Sequence, residues 1–252
     1  MTLGEVLAAL GLPEESRVER RIPKKMLLES GAPVTGARRL IETALQELTW
    51  VAVLKPTTIG VAAYRDAVRE YLELSVLKMA LRASPRAGRL VERVHRAIPY
   101  PVVLLTEGPE GHSLSLAHKR WSLGEEGRTV LDGDVVVAVL DGVIDPIVER
   151  AFLDALPLLR QPRASLYSVY QGWMDTALAL QAARATGTFA VASTVERAAI
   201  RREALKECAR LEAEMAGLHA AAAKERQLAR QVDLNLELER LRAAHAAARA
   251  KL

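Results

Sequence analysis

The spacing of apolar residues changes along the chain, and each change marks an element. From Thr35 to Leu48, Leu40, Ile41, Ala44, Leu45 and Leu48 recur at helical spacing and predict a helix. A strand over Thr49 to Leu54 (TWVAVL) follows, and Thr57 to Ala62 (TTIGVA) and Tyr71 to Leu81 (YLELSVLKMAL) read as two more, from β-branched and apolar clusters between turn signals. Ser84-Pro85 predicts a helix start, and Leu90, Val91 and Val94 share one face of that helix through Ala97. Pro101 to Thr106 and His112 to His118 form a hairpin around the Gly108-Pro109-Glu110-Gly111 turn. Asp132 to Val139 reads as a strand buried on both faces, from its run of valines. The class is α+β: a mixed α/β domain with the order α-β-β-β-α-β-β, followed by short helices and a long C-terminal coiled-coil-type helix or helical hairpin. The expected divisions are 1–146 for the α/β domain with its basic N-terminal segment, 147–192 for a helical connector, and 193–252 for the tail.

Ser193-Thr-Val-Glu196 has the form of a capping box, and only Gly217 interrupts the helical composition beyond it. A straight helix from Glu196 to Leu252 would span about 85 Å at about 1.5 Å per residue, too long for one small domain to cover. Cys208, Leu211, Met215, Leu218 and Ala222 step by three and four, as do Leu234, Leu238, Leu241, His245, Ala248 and Leu252, but in a different phase. The break falls in KERQLARQVDLN, Lys224 to Asn235. It marks either a stutter in one helix or the turn of an antiparallel hairpin, and the lack of a Gly-Pro turn favours the continuous helix. In a continuous helix Gln227, Arg230, Gln231 and Asn235 form a polar ribbon that, with Leu238 and Leu241, would select a partner.

Half of the 252 residues are apolar and 4% aromatic, enough to build a core and weighted toward helix. Lys and Arg total 35 against 31 Asp and Glu, a formal +4 that permits contact with nucleic acid. One cysteine, Cys208, excludes an internal disulfide framework and suits a reducing cytoplasm. Met1 to Leu12 lacks the basic start of a signal peptide, and no segment offers about 18 uninterrupted apolar residues, so no membrane association is expected. His95, His112, His118, His219 and His245 never fall at ligand spacing with a second His or Cys, so no metal site is expected; nor is there a phosphate loop, a dinucleotide fingerprint or a Gly-x-Ser-x-Gly elbow.

Several motifs occur in a particular order: Arg21-Ile-Pro-Lys-Lys25, Trp50 with Leu54-Lys-Pro56, Tyr71-Leu-Glu73, Ala97-Ile-Pro-Tyr-Pro101, Lys119-Arg120, and the tail from Lys224-Glu-Arg-Gln227 to Val232-Asp-Leu-Asn235. In combination they resemble the bacterial domain of unknown function 4391 family over nearly the whole chain, with Leu228, Ala229 and Gln231 where that family's tail usually has Phe, Asn and Lys. The resemblance implies a setting beside helicases and DNA methyltransferases in defence or restriction-like clusters. It implies no activity.

Arg20, Arg21, Lys24 and Lys25, with Lys119 and Arg120, are the candidate phosphate contacts, Ile-Pro-Lys-Lys presenting adjacent ammonium groups from an extended segment. Arg17, Arg38 and Arg39 add to the same charge. Tyr167, Tyr170 and Trp173 at helical spacing read as packing. A restriction-endonuclease-like core has a similar element order, and Glu42, Asp66 and Glu73 are the acids that would hold Mg²⁺ in it. Position 75 is Ser where such a core has Lys, and Lys78 points to the opposite face from Glu73 by strand alternation. The expected function is therefore that of a non-catalytic accessory or nucleic-acid-associated subunit of a bacterial defence or restriction-like complex, working with a helicase or methyltransferase on DNA or RNA without a cofactor. A metal-dependent nuclease is the alternative enzyme. A scaffold self-associating through the C-terminal helix, without nucleic acid, is the third reading.

Overall fold

The computed structural model describes residues 1–31, 35–84, 88–142 and 144–252. It divides into two compact units, Met1–Ala177 and Leu178–Leu252, a division that falls within the segment read as a connector.

The first unit is built on a six-stranded mixed sheet. Helix α1 (Leu3–Ala9) opens it, held by a capping box between Thr2 and Glu5, and is followed by the outer strand β1 (Arg17–Arg21). Helices α2 (Lys24–Gly31) and α3 (Thr35–Ala44) precede β2 (Leu45–Leu54). After a short helix α4 (Pro56–Ile59) come β3 (Tyr64–Arg65), β4 (Glu70–Tyr71) and β5 (Leu74–Leu81). Helix α5 (Gly88–Ala97) crosses to β6 (Val102–Gly108), which turns into β7 (Gly111–Leu116). Strands β8 (Lys119–Trp121), β9 (Thr129–Leu131) and β10 (Val136–Val139) lead to α6 (Pro146–Ala155) and α7 (Leu166–Thr186). The sheet order is β1-β2-β5-β6-β7-β10, with β3-β4 and β8-β9 as separate ribbons. Among the described residues only β5 and β6 run parallel, with Leu77 opposite Leu104 and Met79 opposite Thr106.

One sheet face packs against α2, α3 and α5: Leu27, Ile41, Leu90, Val91 and Val94 join Leu77, Met79 and Leu104. On the other side lie α1, α6 and the first half of α7. The Tyr170 hydroxyl accepts from Ala117 N–H (2.8 Å) and lies 2.8 Å from Val102 O and 3.0 Å from Ala117 O, one of which takes its proton. Trp173 Nε1 donates to Leu156 O (2.8 Å), and Leu158 N to Leu10 O. Burial on both faces explains why β5 and β6 read as continuous apolar runs.

The α+β class expected from the sequence holds, with several boundaries moved. The first long helix stops at Ala44 rather than Leu48, because the last carbonyls are already taken: Arg82 N donates to Ala44 O, and Lys24 Nζ and Arg82 Nη1 converge on Leu45 O. Leu45 and Leu48 thus belong to β2. Thr57 to Ala62 is not a strand. Pro56 sets the first turn of α4, Thr58 exchanges hydrogen bonds with the Lys55 backbone, and Gly60 closes the turn in the left-handed region (φ 61°). Tyr71 to Leu81 is broken into β4 and β5 at Leu72–Glu73. Pro85, expected to start α5, lies outside the described residues. The last strand is only Val136–Val139 and is an edge: Val136 and Ala138 are buried, Val137 half-buried and Val139 exposed, so it is not covered on both faces.

Of the two arrangements expected for the tail, the second unit adopts the helical hairpin rather than the continuous helix that the missing Gly-Pro turn favours. Helices α8 (Val195–Ala222) and α9 (Leu228–Arg249) form an antiparallel hairpin, and Gly217 sits inside α8 without breaking it. The N-cap is Thr194, accepting from Arg197 N–H, one residue beyond the expected Ser193. KERQLARQVDLN makes the turn without Gly or Pro: the Glu225 carboxylate accepts from Arg226 and Gln227 N–H (2.8 and 2.9 Å), and Gln231 Nε2 donates to Glu225 O (2.6 Å). The phase break is the turn itself. Cys208, Leu211 and Ala248 form the hairpin's core with Leu241 and Leu252 against them, and Leu238 is buried. Leu238 and Leu241 therefore face inward, not toward a partner.

Replacing Tyr170 with Phe leaves Ala117 N–H buried without a partner, which should lower unfolding stability by about 1–3 kcal/mol with the fold retained. Urea denaturation followed by circular dichroism measures this, and an unchanged midpoint would show that the hydroxyl does not hold α7 to the sheet.

Candidate nucleic-acid interface

Strand β1 lines one edge of the sheet, and all five of its residues are exposed. Its pairing with β2 is irregular: Arg17 lies opposite Ala52 but Arg20 opposite Trp50, with Glu19 between them at φ 44°. Arg17 is met by Glu14 (3.1 Å) and Glu19 (3.7 Å). Arg20 and Arg21 make no ion pair among the described residues. Lys24 and Lys25 do not continue the extended segment. They open α2, where Lys25 pairs with Glu29 (3.6 Å) and Lys24 turns inward.

Lys24 Nζ donates to Leu45 O (2.5 Å) and Glu42 O (3.3 Å), placing a cation at the C-terminal end of α3, where the helix dipole favours it. Arg82 Nη1 reaches the same Leu45 carbonyl (3.2 Å). Burial lowers the Lys24 pKa, and repulsion from Arg82 and then Arg21 lowers it further, against the smaller opposing pull of Glu42. Three cations therefore share a small region with little neutralisation. Beside them is a shallow depression of about 310 Å³, lined by Arg21, Pro23, Lys24, Gln46 and Glu47 among others. Arg38 and Arg39 of α3 are also exposed. Sequence reasoning missed Arg82, since nothing local links the end of β5 to the end of α3.

The other two expected contacts belong elsewhere. Lys119 is 1% exposed and its ammonium donates to His95 O in the last turn of α5, so it cannot reach a phosphate. A Lys-Arg pair suggests two solvated charges, but the tertiary fold buries the first. Burial brings the Lys119 pKa down to about 8, with a smaller contribution from Arg96, and brings that of His95 down to about 3, with a smaller contribution from Lys119. Arg120 is half-buried, donating to Trp121 O (3.0 Å) with Nε 3.9 Å from Asp132, whose carboxylate also holds Arg69. Nearby, Tyr71 Oη and His118 Nδ1 lie 2.5 Å apart, His118 Nε2 is 2.9 Å from Gln171 Oε1, and Gln171 Nε2 donates to Asp175 (2.9 Å). Tyr167 stacks on Tyr64 (4.9 Å) beneath the Arg69 guanidinium. Tyr167, Tyr170 and Trp173 thus pack, as their spacing suggests.

The three acids considered for Mg²⁺ have separate settings. Glu42 is exposed on α3. Asp66 is fixed in the β3–β4 turn by Tyr64 Oη and by Val68 and Arg69 N–H, which hold its carboxyl below the usual range. Glu73 pairs with Lys55 (3.6 Å). Lys78 meets Glu107 (3.2 Å), and the residue two before it on its own face is the buried Val76. Among the described residues no group of three or more His, Cys, Asp or Glu is placed to hold a metal ion. In the tail, Gln227, Arg230 and Asn235 are exposed beside the turn, while Gln231 is used to close it.

A profile described as domain of unknown function (DUF4391) matches residues 10–244. The chain belongs to the DUF4391 family. The match takes in the whole sheet and reaches well into α9, so in this DUF4391 protein the hairpin is part of the family domain. No curated protein and no solved structure matches it. Among the described residues, no helix is long and apolar enough to cross a membrane.

The depressed pKa of Lys119 carries a pH signature. The unfolded chain holds this proton up to about pH 10.5 and the folded chain only to about 8, so unfolding takes up a proton in that window and stability rises with pH across it. Compared with Lys119→Met, the wild type should gain on the order of 3 kcal/mol between pH 8 and 10.5. Parallel denaturation curves for the two proteins across that window would show instead that the ammonium is hydrated.

Proposed function

We propose that this DUF4391 chain is a non-catalytic, nucleic-acid-associated subunit of a bacterial defence or restriction-like complex, working beside a helicase or a DNA methyltransferase. Its own task is to hold a phosphate backbone along the β1 edge, through Arg20 and Arg21 with Lys24, Lys25 and Arg82 behind them. The observation that carries this reading is the convergence of Lys24 and Arg82 on one carbonyl oxygen, with Arg21 near enough to repel Lys24. A bound anion would relieve that repulsion, and backbone phosphates supply anions in a row. Such contacts position a protein on nucleic acid without reading its sequence, which suits an accessory role.

Binding of duplex DNA and of RNA, measured by fluorescence anisotropy over a range of salt, tests this. Arg20→Glu with Arg21→Glu, both on an exposed strand, should weaken binding and flatten the salt slope by about 1.8, since each phosphate contact contributes about 0.9 on duplex DNA. An unchanged slope would remove the edge from the interface. Mg²⁺-dependent nicking of plasmid by the wild type, lost in Glu73→Ala, would overturn the non-catalytic part.

A further inference from the structure

Next to the Lys24 and Arg82 cations lies a cavity of about 290 Å³. Leu81, Val91, Val135, Val137 and Val139 give it apolar walls, and Thr106 and Ser113 add hydroxyls. Strand register puts these groups on one sheet face. Thr106 is the direct partner of Met79 on β5 and of Ser113 on β7, and Ser113 is that of Val139 on β10. Met79 shares a core with Leu27 of α2, Ile41 of α3 and Val91 of α5, so this is the face those helices cover. The cavity sits where β5 and β6 end and β7 begins, around the Gly108 to Gly111 turn. The cations are at the same end and on the same face. Leu45, whose carbonyl gathers Lys24 and Arg82, is paired with Leu81, and Lys24 comes from α2. Arg82 belongs to both places, lining the cavity and donating to Leu45 O. Strands β2 and β6 are two spacings apart in the sheet, about 10 Å, comparable to the length of one nucleotide from phosphate to base edge.

We infer that this cavity takes one unstacked nucleobase of a single strand whose phosphate lies against Arg82 and Lys24. The inference rests on the phosphate-holding role proposed for the β1 edge and names the form of nucleic acid that the edge holds. The lining selects the occupant. The Thr106 hydroxyl is shielded from water and has no hydrogen-bond partner, so a wholly apolar occupant such as an acyl chain leaves it unmatched. The walls are aliphatic, so a strongly hydrated ion or sugar loses its water there without return. A nucleobase combines apolar faces for the walls with a hydrogen-bonding edge for Thr106 and Ser113, and apolar side chains hold bases that have left the stack. Its attached phosphate meets the cations gathered at Leu45 O. The volume is at the small end of ligand sites, which suits one base rather than a larger ligand. A base inside a duplex is stacked on both sides and does not enter, which makes the strand single.

Fluorescence anisotropy of the full chain with a single-stranded DNA oligonucleotide, and with an abasic strand of the same length, tests the inference. The wild type should bind the parent strand about tenfold more tightly than the abasic one. Thr106→Val keeps the shape and removes the hydroxyl, and Val139→Trp fills the cavity from an edge strand. Each should shrink that difference while leaving abasic-strand affinity and circular dichroism unchanged. Thr106→Val also separates binding from folding, since removing an unpartnered buried hydroxyl should leave the melting temperature equal or higher. Equal affinity for the two strands in the wild type, or a difference that survives both variants, would overturn the inference and leave the phosphate-holding edge standing. Failure of the wild type to bind either strand would overturn both. A nucleoside monophosphate that competes as strongly as the whole strand would make the occupant a free nucleotide and so overturn the inference as well.

Discussion

The parallel β5–β6 pair has to be dry on both faces, and most of the first unit follows from that requirement. Parallel neighbours need a crossover, and α5 supplies it on the face where Leu90, Val91 and Val94 meet Leu77 and Leu104. The opposite face is closed from a distance along the chain by α7, whose Tyr170 brings a hydroxyl to Ala117 and Val102 at the strand ends. A tyrosine does here what a leucine could not: it fills the layer and satisfies backbone groups left over where strands stop.

The same need to satisfy backbone groups places the cations. Helix α5 ends on the Lys119 ammonium and α3 ends on Lys24 with Arg82. In both cases a basic side chain answers helix carbonyls, but Lys119 is enclosed and loses basicity, while Lys24 sits among other cations at the sheet edge. One type of interaction thus yields a structural group at one helix end and a region of positive potential at the other. Exposure and neighbours make the difference.

Legibility in the sequence tracks locality. The α5 stripe, the PVVLLT strand and the Gly108 to Gly111 turn are set by residues within a few positions of one another, and they form as read. The end of α3 is not legible because Leu45 and Leu48 continue the helical spacing, while the groups that stop the helix come from α2 and the end of β5. The burial of Lys119 is hidden for the same reason. The hairpin turn carries no Gly or Pro because Glu225 and Gln231 build it from side-chain hydrogen bonds. At the candidate interface Arg20, Arg21 and Lys24 are legible as charge, whereas Arg82 becomes visible only when the chain has brought it to Leu45.

The irregular pairing of β1 bears on what this edge can accept. An outer strand normally offers an incoming strand a straight row of donors and acceptors, the route by which sheets extend from one molecule into another. Glu19, with φ of 44°, interrupts that row between Arg17 and Arg20, and adding a residue to one strand of a pair bends it locally. The edge thus offers a broken row to an incoming strand while its arginine side chains stay open to solvent. The bulge thus separates two ways of meeting this edge: contact through the backbone ladder is broken at Glu19, whereas contact through the Arg20 and Arg21 side chains is not.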